Sequence, residues 1–401
     1  MTKFIYQIGI VLLFIYFKCA ALFGNDKAQK ANKGRKEWKE HLNLLENKKT
    51  YWIHAASHGE GLMALPLIKR FLENTANQVV ISFFSPSGYQ NFKFKDHNLH
   101  KIYLPLDTKQ NAAQLIKKIN PNHVIFVKYD LWMNIINACH QNKVPITIFN
   151  AKFRQDQWYF KTYGNWAKES LQKVNQIFTI DQSTVKLLEE NDFKNVKISG
   201  DTRYDQVNIS RENKILNINK PCLIVGSSWD IEEKIIAKVS SSLPDLQYII
   251  APHEVDEKRL SEIKKCFGPK SKLLSEIDTT KEIPEVLIID RIGLLAELYS
   301  SSDIAFIGGG FTGKLHNIIE PAAKGNIVLF GPEIHKYPEA EEMIKKGIAH
   351  IVQDGASLKE KLDEILNDEN RLKKSKQRAI EFVNNKKGTT DLIYKAIVNE
   401  N

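Results

Sequence analysis

The chain has 401 residues, 43% of them hydrophobic and 26% charged, with a formal net charge of +10 and a pI of about 9.1. That composition leaves room for two core domains and excludes a disordered or collagen-like chain. Cys19, Cys139, Cys222 and Cys266 show no paired spacing, which argues against a disulfide framework or cysteine metal site and for a reducing compartment; the basic balance suits nucleotide sugars or an acidic membrane surface, and no zinc-finger, RNP or basic-zipper pattern speaks for nucleic acid.

Residues 4–23 are almost wholly apolar, interrupted by Gln7 and Lys18. A membrane span needs roughly 20 residues, and Lys18 can snorkel to an interface and extend the usable length. Lys27, Lys30, Lys33, Arg35 and Lys36 follow at once, which places the bulk of the chain on the cytoplasmic side, beside anionic lipid heads. The segment reads as an uncleaved anchor rather than a signal peptide, because no small-x-small site is followed by a secreted, cysteine-paired domain. Its length fits both a crossing helix and one lying in a single leaflet.

The apolar run 51–56 breaks at Ser57-His58-Gly59-Glu60-Gly61 and resumes with helical periodicity over 62–72, the pattern of strand, tight glycine turn and helix. Further strands are expected at 79–84, 102–104, 123–127, 144–149, 176–180 and 196–198, with a helix over 111–119 that Pro121 ends. Ser85-Pro86-Ser87-Gly88 reads as a loop, and the aromatic-rich stretch from Trp158 to Trp166 as a helix whose rings pack rather than stack on a cofactor. A polar linker follows at 208–219. A second βα series then has strands at 222–225, 247–250, 286–289, 304–307 and 327–330, helices after Asp230 and over 294–300, and a charged helical tail from about 358. The expected organisation is an anchor with its basic flank (1–36), an N-terminal domain (37–207), a linker (208–219) and a C-terminal domain (220–401). Both domains are α/β and doubly wound, with a cleft between them.

Ligands bind such sheets at the carboxyl ends of their strands. Glu60 stands at such an end between Gly59 and Gly61, which let the backbone turn and approach a ligand. It serves there either as a general base or only as an acidic residue at a helix N-terminus. Lys128 and Asp130 follow the strand 123–127 and either touch a substrate or pair with each other. Ser227 and Ser228 sit at a strand-to-helix turn, where they hold phosphate or cap the helix. His253 follows a strand end and either binds phosphate or packs. Gly308-Gly309-Gly310 runs on to His316, Asn317 and Glu320. Glycine amides beside a helix start make an anion site, and Glu320 suits ribose hydroxyls; the alternative is a capping pair of Asn317 and Glu320. The loop lacks the Walker A and dinucleotide spacings, and no His or Asp cluster argues for a metal.

These motifs resemble the 3-deoxy-D-manno-octulosonic acid (Kdo) transferases of lipopolysaccharide synthesis. The resemblance rests on the N-terminal anchor, His54-Ala55-Ala56-Ser57-x-Gly59-Glu60, Pro86-Ser87-Gly88, Asp130-Leu131-Trp132, Asn150-Ala151-Lys152 and Gly308-Gly309-Gly310 followed by His316-Asn317-x-x-Glu320-Pro321-Ala322, in order over most of the chain. It implies a GT-B fold of two Rossmann-like domains and transfer of Kdo, with inversion, from CMP-Kdo to a lipid A precursor at the cytoplasmic face of the inner membrane. It further implies no cofactor or metal, Glu60 as catalytic base, and the glycine loop, Asn317, Glu320 and nearby His253 on the nucleotide side. Ser57, Gly59, Gly61, Ser87, Lys128 and Asp130 fall to the acceptor and sugar; Ser227, Ser228, Gly309, Gly310 and His316 fall to the nucleotide. The chain departs from the family pattern at Pro252, where Arg is usual, at Asp130 for Glu, at Lys152 for Arg and at Ile318 for Pro, and Lys314 or Arg203 are the residues that could supply the missing positive charge. The alternatives are another GT-B transferase or sugar-nucleotide epimerase using a UDP-sugar, and a catalytically silent lipid- or nucleotide-binding protein.

Overall fold

The computed structural model describes residues 2–207, 209, 215–278 and 283–399. The chain forms two units, Met1–Gln206 with Lys386–Asn401, and Val207–Asn385. Half of the expected linker, residues 208 and 210–214, lies outside the described residues.

In unit 1 the N-terminal helices α1 (Thr2–Leu22) and α2 (Asp26–Glu37) precede β1 (Lys49–Ala55), α3 (His58–Leu72), β2 (Asn77–Phe83), α4 (Pro86–Asn91), β3 (Leu99–Tyr103), α5 (Lys109–Ile119), β4 (His123–Val127), α6 (Met133–Gln141), β5 (Ile146–Ala151), α7 (Asn165–Leu171), β6 (Gln176–Thr179), α8 (Gln182–Glu189), β7 (Val196–Ile198) and α9 (Arg203–Gln206). The strands form a sheet in the order β3-β2-β1-β4-β5-β6-β7, with every pair parallel. Helices cover both faces of such a sheet, so its central strands read as unbroken apolar runs rather than alternating ones; all five residues of β4 are buried. The helices follow the same logic. In α5, Ala112, Leu115, Ile116 and Ile119 are buried at helical spacing, Thr108 caps the start, and Asn120, at φ 46°, ends it in the left-handed region. Pro66 inside α3 has no N–H to give the Leu62 carbonyl, and the Gln206 side chain donates to that carbonyl instead.

Unit 2 contains β8 (Cys222–Ser228), α10 (Asp230–Ser240), β9 (Gln247–Pro252), α11 (Glu257–Phe267), β10 (Ser271–Leu273), β11 (Val286–Ile288), α12 (Leu295–Leu298), β12 (Ile304–Ile307), α13 (Ile319–Ala323), β13 (Ile327–Phe330), α14 (Pro338–Lys345), β14 (Ala349–Ile351), α15 (Gly355–Leu366) and α16 (Glu369–Asn384). Its sheet runs β10-β11-β9-β8-β12-β13-β14, again all parallel. The order turns between β1 and β4 in unit 1 and between β8 and β12 in unit 2, where β10 also lies outside β11 at the sheet edge.

Several local expectations are corrected. The loop at Ser85–Gly88 is the start of α4, with Ser85 as its N-cap accepting from the Gly88 N–H. The aromatic stretch is two short 3-10 turns, Trp158–Phe160 and Thr162–Gly164, ahead of α7. The last helix, α17 (Thr389–Asn399), belongs to unit 1 and not to the C-terminal domain, so that domain ends near Asn385. Ile393 and Ile397 are fully buried beside Ile53 and Phe71, and Asp205 accepts the Thr390 hydroxyl and N–H at 2.6 and 2.7 Å.

The 20 residues Lys3–Leu22 are long and apolar enough to cross a membrane. One edge of α1 is nonetheless bonded to unit 1. The Tyr6 hydroxyl donates to Asp107 at 2.6 Å, the Gln7 amide to Asn134 at 3.0 Å, and Ile10 is buried. The opposite side, with Phe4, Ile5, Leu12, Ile15 and Tyr16, is exposed.

Candidate active site

Both switch points carry polar groups at their carboxyl ends. In unit 1, β1 runs into Ser57 and Glu60, while β4 runs into Lys128 and Asp130. Ser57 caps α3, its hydroxyl accepting the Glu60 N–H at 3.4 Å. The Glu60 carboxylate turns back on the strand end, and Oε2 accepts the Ala56 N–H at 2.6 Å. Among the described residues no hydrogen bond reaches Oε1. Burial raises the Glu60 pKa above its ordinary value; the Ala56 N–H and the nearby Lys128 charge oppose the shift without cancelling it. Such a carboxylate is a stronger base than an exposed one, with one oxygen held and one left for a proton.

Asp130 does not pair with Lys128. Its carboxylate lies 3.4 Å from His54 Nε2, which also accepts the Trp132 indole N–H at 3.0 Å. The other ring nitrogen of His54 meets the Ser82 hydroxyl at 2.9 Å, and Trp52 donates to that same hydroxyl. This buried chain braces β1, β2 and the Asp130 loop behind Glu60. Lys128 and Asn150 both hold positive φ, 61° and 51°, where β4 and β5 end. Backbone of this kind persists only where surrounding bonds impose it. Asn150 is held by Asp201 at 3.1 Å and by Thr202 at 2.9 Å. Ser87 exchanges a hydrogen bond with Ser85 at the start of α4.

In unit 2 the ends of β8, β9 and β12 bring Trp229, His253 and His316 together. The Trp229 and His253 ring centres are 4.5 Å apart, those of His253 and His316 4.6 Å. The Trp229 indole donates to His316 Nε2 at 3.3 Å. Burial, and secondarily the neighbouring His253, lower His316 to about 4, so it is neutral near pH 7. The Glu320 pKa is raised by burial, and its carboxylate accepts the Asn317 amide at 3.0 Å. Asn317 Oδ1 in turn accepts the Ile319 N–H at 3.0 Å, but the N-cap of α13 is Ile318 and carries no side-chain cap, so the expected capping box of Asn317 and Glu320 does not form. The helix begins at Ile319.

Three expected contacts take another form. Gly61 is helical and buried, and a Cβ there would sit 2.8 Å from the Phe83 ring, so this glycine serves packing; Gly59 has open space beside it. The Ser228 hydroxyl is buried and donates to Glu233 at 2.7 Å, which removes it from a ligand. The Gly309 N–H, expected to face an anion, donates to Glu232 Oε1 at 2.9 Å. Gly309 stands at φ +86°, and a Cβ on Gly310 would strike the backbone of Gly331, so both remain obligatory glycines. Arg203 is bound to Asp201 at 2.7 Å, while Lys314 is exposed beside the glycine loop.

Sequence reasoning missed Trp229, Glu232 and Glu233. The run Asp230-Ile231-Glu232-Glu233 looks like the solvated start of a charged helix. Instead Glu232 is fully buried, accepting the Trp229 N–H at 3.0 Å as well as that of Gly309. Glu233 pairs with Arg259. The available signal was the position of these carboxylates at the first turn after the strand end.

Residues 36–206 match the family of 3-deoxy-D-manno-octulosonic-acid transferases. Over 339 residues the chain is 27% identical to the 3-deoxy-D-manno-octulosonic acid transferase of Aquifex aeolicus, covering 82% of this chain and 90% of that one. Residues 36–206 thus carry the Kdo transferase domain, and the chain resembles these enzymes over most of its length. The relatives it matches over most of its length are named as glycosyltransferases. A bifunctional glycosyltransferase/methyltransferase of Fusobacterium nucleatum is 28% identical over 348 residues; the match takes in 81% of this chain and spans about half, 54%, of that relative. Among solved structures, Acinetobacter baumannii MurG superposes with a TM-score of 0.59 at 15% identity, over 88% of this chain and 99% of that one. That likeness concerns the fold alone, and the two parallel α/β units of this chain are those of the GT-B fold.

Proposed function

We propose that the chain transfers Kdo from CMP-Kdo to a lipid A precursor, with inversion at the anomeric carbon, at the cytoplasmic face of the inner membrane. The observation that carries this reading is the Glu60 carboxylate at the β1 end, its pKa raised by burial and one oxygen held by Ala56. Glu60 takes the proton of the acceptor hydroxyl as that oxygen attacks the anomeric carbon of Kdo. The bond to CMP breaks on the opposite side, and the departing phosphate requires positive or N–H partners. Lys314 and the amides around the glycine loop are the groups proposed to meet it. Trp229, His253 and His316 offer ring faces to the nucleotide, and Glu320 its free carboxylate oxygen to hydroxyls. Ser57, Gly59, Ser87, Lys128 and Asp130 are assigned to the acceptor and the sugar.

The exposed face of α1 and the lysines of α2 hold the enzyme on an anionic membrane surface. Incubation of the purified protein with CMP-Kdo and a tetra-acylated lipid A precursor, followed by mass spectrometry of the lipid, tests the reaction. A lipid heavier by one or more Kdo residues is expected; unchanged lipid from a folded sample rejects the proposal. Thermal stabilisation by CMP but not UDP separates it from a transferase or epimerase that uses a UDP-sugar.

A further inference from the structure

Beside the bonded edge of α1 lies a groove of about 750 Å³. Ile10, Val11 and Phe14 of α1, Trp38 after α2, and Leu106 after β3 give it apolar walls. Lys18, Arg35 and Lys36 supply cations. The groove is continuous with the exposed apolar side of α1, since Val11 and Phe14 belong to both. Arg35 is an unusual lining residue. Its guanidinium stacks on the rings of Phe17 and Phe84 at 4.4 and 4.6 Å. One amino group donates to the Phe84 carbonyl at 2.9 Å, while its buried Nε and Nη1 have no partner among the described residues. Unpaired buried donors on a cation are costly, and an anion is the ligand that relieves them.

The groove also connects to the catalytic edge. Phe84, which Arg35 holds, precedes Ser85, whose N–H donates to the Ala56 carbonyl at 2.8 Å. Ala56 is the residue that Glu60 grips. A slot with apolar walls and cations, opening on a lipid-facing helix at the catalytic edge of the sheet, matches an acyl chain attached to a phosphorylated head.

We propose that this groove seats an acyl chain of the phosphorylated lipid acceptor, with Lys18, Arg35 and Lys36 meeting its anionic head. This rests on the reading of the chain as a lipid Kdo transferase. The groove sets which acylated acceptors are used, and acts through the chain rather than through the reacting hydroxyl.

Two measurements on the full chain in neutral detergent micelles test it. Trp38 lines the groove, so phosphatidic acid bearing dibrominated acyl chains should quench its fluorescence saturably. The saturable part should vanish in Trp38→Phe and weaken in Val11→Phe/Ala21→Phe, which fills the slot from two α1 positions that line it. The same double variant should lower the preference for tetra-acylated over deacylated acceptor, measured as a ratio of kcat/KM values, by roughly tenfold, the scale of one or two buried methylenes. Arg35→Met should weaken quenching by brominated phosphatidic acid more than by its phosphatidylcholine analogue. Quenching that does not saturate, or is equal in the filled variant, overturns the groove. Saturable quenching with an unchanged acceptor preference overturns the acceptor as occupant and assigns the slot to a bilayer lipid. Absence of transfer to any acceptor in the wild type rejects the reaction, while the quenching alone still decides the groove.

Discussion

Glu60 Oε2 lies 2.6 Å from the Ala56 nitrogen and accepts its N–H. One carboxylate thereby fastens the start of α3 to the end of β1 while its second oxygen stays available. The two duties can be separated. Glu60→Gln keeps an acceptor for the Ala56 N–H but cannot take a proton, so kcat should fall by roughly 10²–10⁴-fold, the usual worth of a general base. Its urea midpoint should stay near the wild-type value. Glu60→Ala should lose the rate and also about 1 kcal/mol of stability, the typical worth of a cap. Near-normal turnover in Glu60→Gln removes the base assignment.

The raised pKa of Glu60 has a direction that kinetics can read. The folded protein holds this proton to higher pH than an ordinary Glu at 4.5. The base is ionised only above the raised value, so kcat/KM should fall as pH drops through a limb lying above 4.5. The residual activity of Glu60→Gln should lack that limb. A wild-type profile flat down to the ordinary carboxylate range contradicts the assignment.

The Trp229 ring belongs to the nucleotide side of the proposal. Stacking of a base on an aromatic ring is worth about 1–3 kcal/mol, so Trp229→Ala should weaken CMP binding by roughly 5- to 150-fold. Isothermal titration with CMP checks this. Glu232→Ala tests a different duty in the same place, because it strands the buried N–H groups of Gly309 and Trp229. At about 1–3 kcal/mol for each lost partner, its denaturation midpoint should drop clearly, whereas Trp229→Ala should show its larger effect in affinity.

His123 is fully buried in β4, its Nε2 2.8 Å from the Thr147 hydroxyl, and burial lowers it to about 4 from 6.5. Between those values the unfolded chain binds a proton that the folded one refuses. Its contribution is fully present above pH 6.5 and is lost as the pH falls toward 4. Urea midpoints measured from pH 7 to pH 5 should therefore decline less steeply in His123→Gln than in the wild type. Equal slopes reject the assignment.

Much of the fold is legible in the chain because parallel strands covered on both faces leave short apolar runs. The runs at 123–127, 304–307 and 327–330 mark β4, β12 and β13 without error. Of the short edge strands, β7 is found at its expected 196–198, but two others are not legible in this way. β10 has three residues, one of them exposed, and β14 is similar, so neither stands out from its loop. The glycine loop was recognisable, but its partner was not. Sequence offers the Gly309 amide to any anion, and only the folded chain shows that Glu232, 77 positions away, occupies it. Gln7 reads as a blemish in an apolar run until Asn134 is seen beside it.

The return of α17 to unit 1 bears on how the protein is made. The segment that closes over Ile53 and Phe71 is synthesised only after the whole of Val207–Asn385. During translation the outer apolar side of α3 must wait uncovered while the second unit folds. That interval is a window for chaperone binding and aggregation. A chain cut before Lys386 would carry the same exposed face permanently, and its loss of yield would come from the unit that still contains every residue of its sheet.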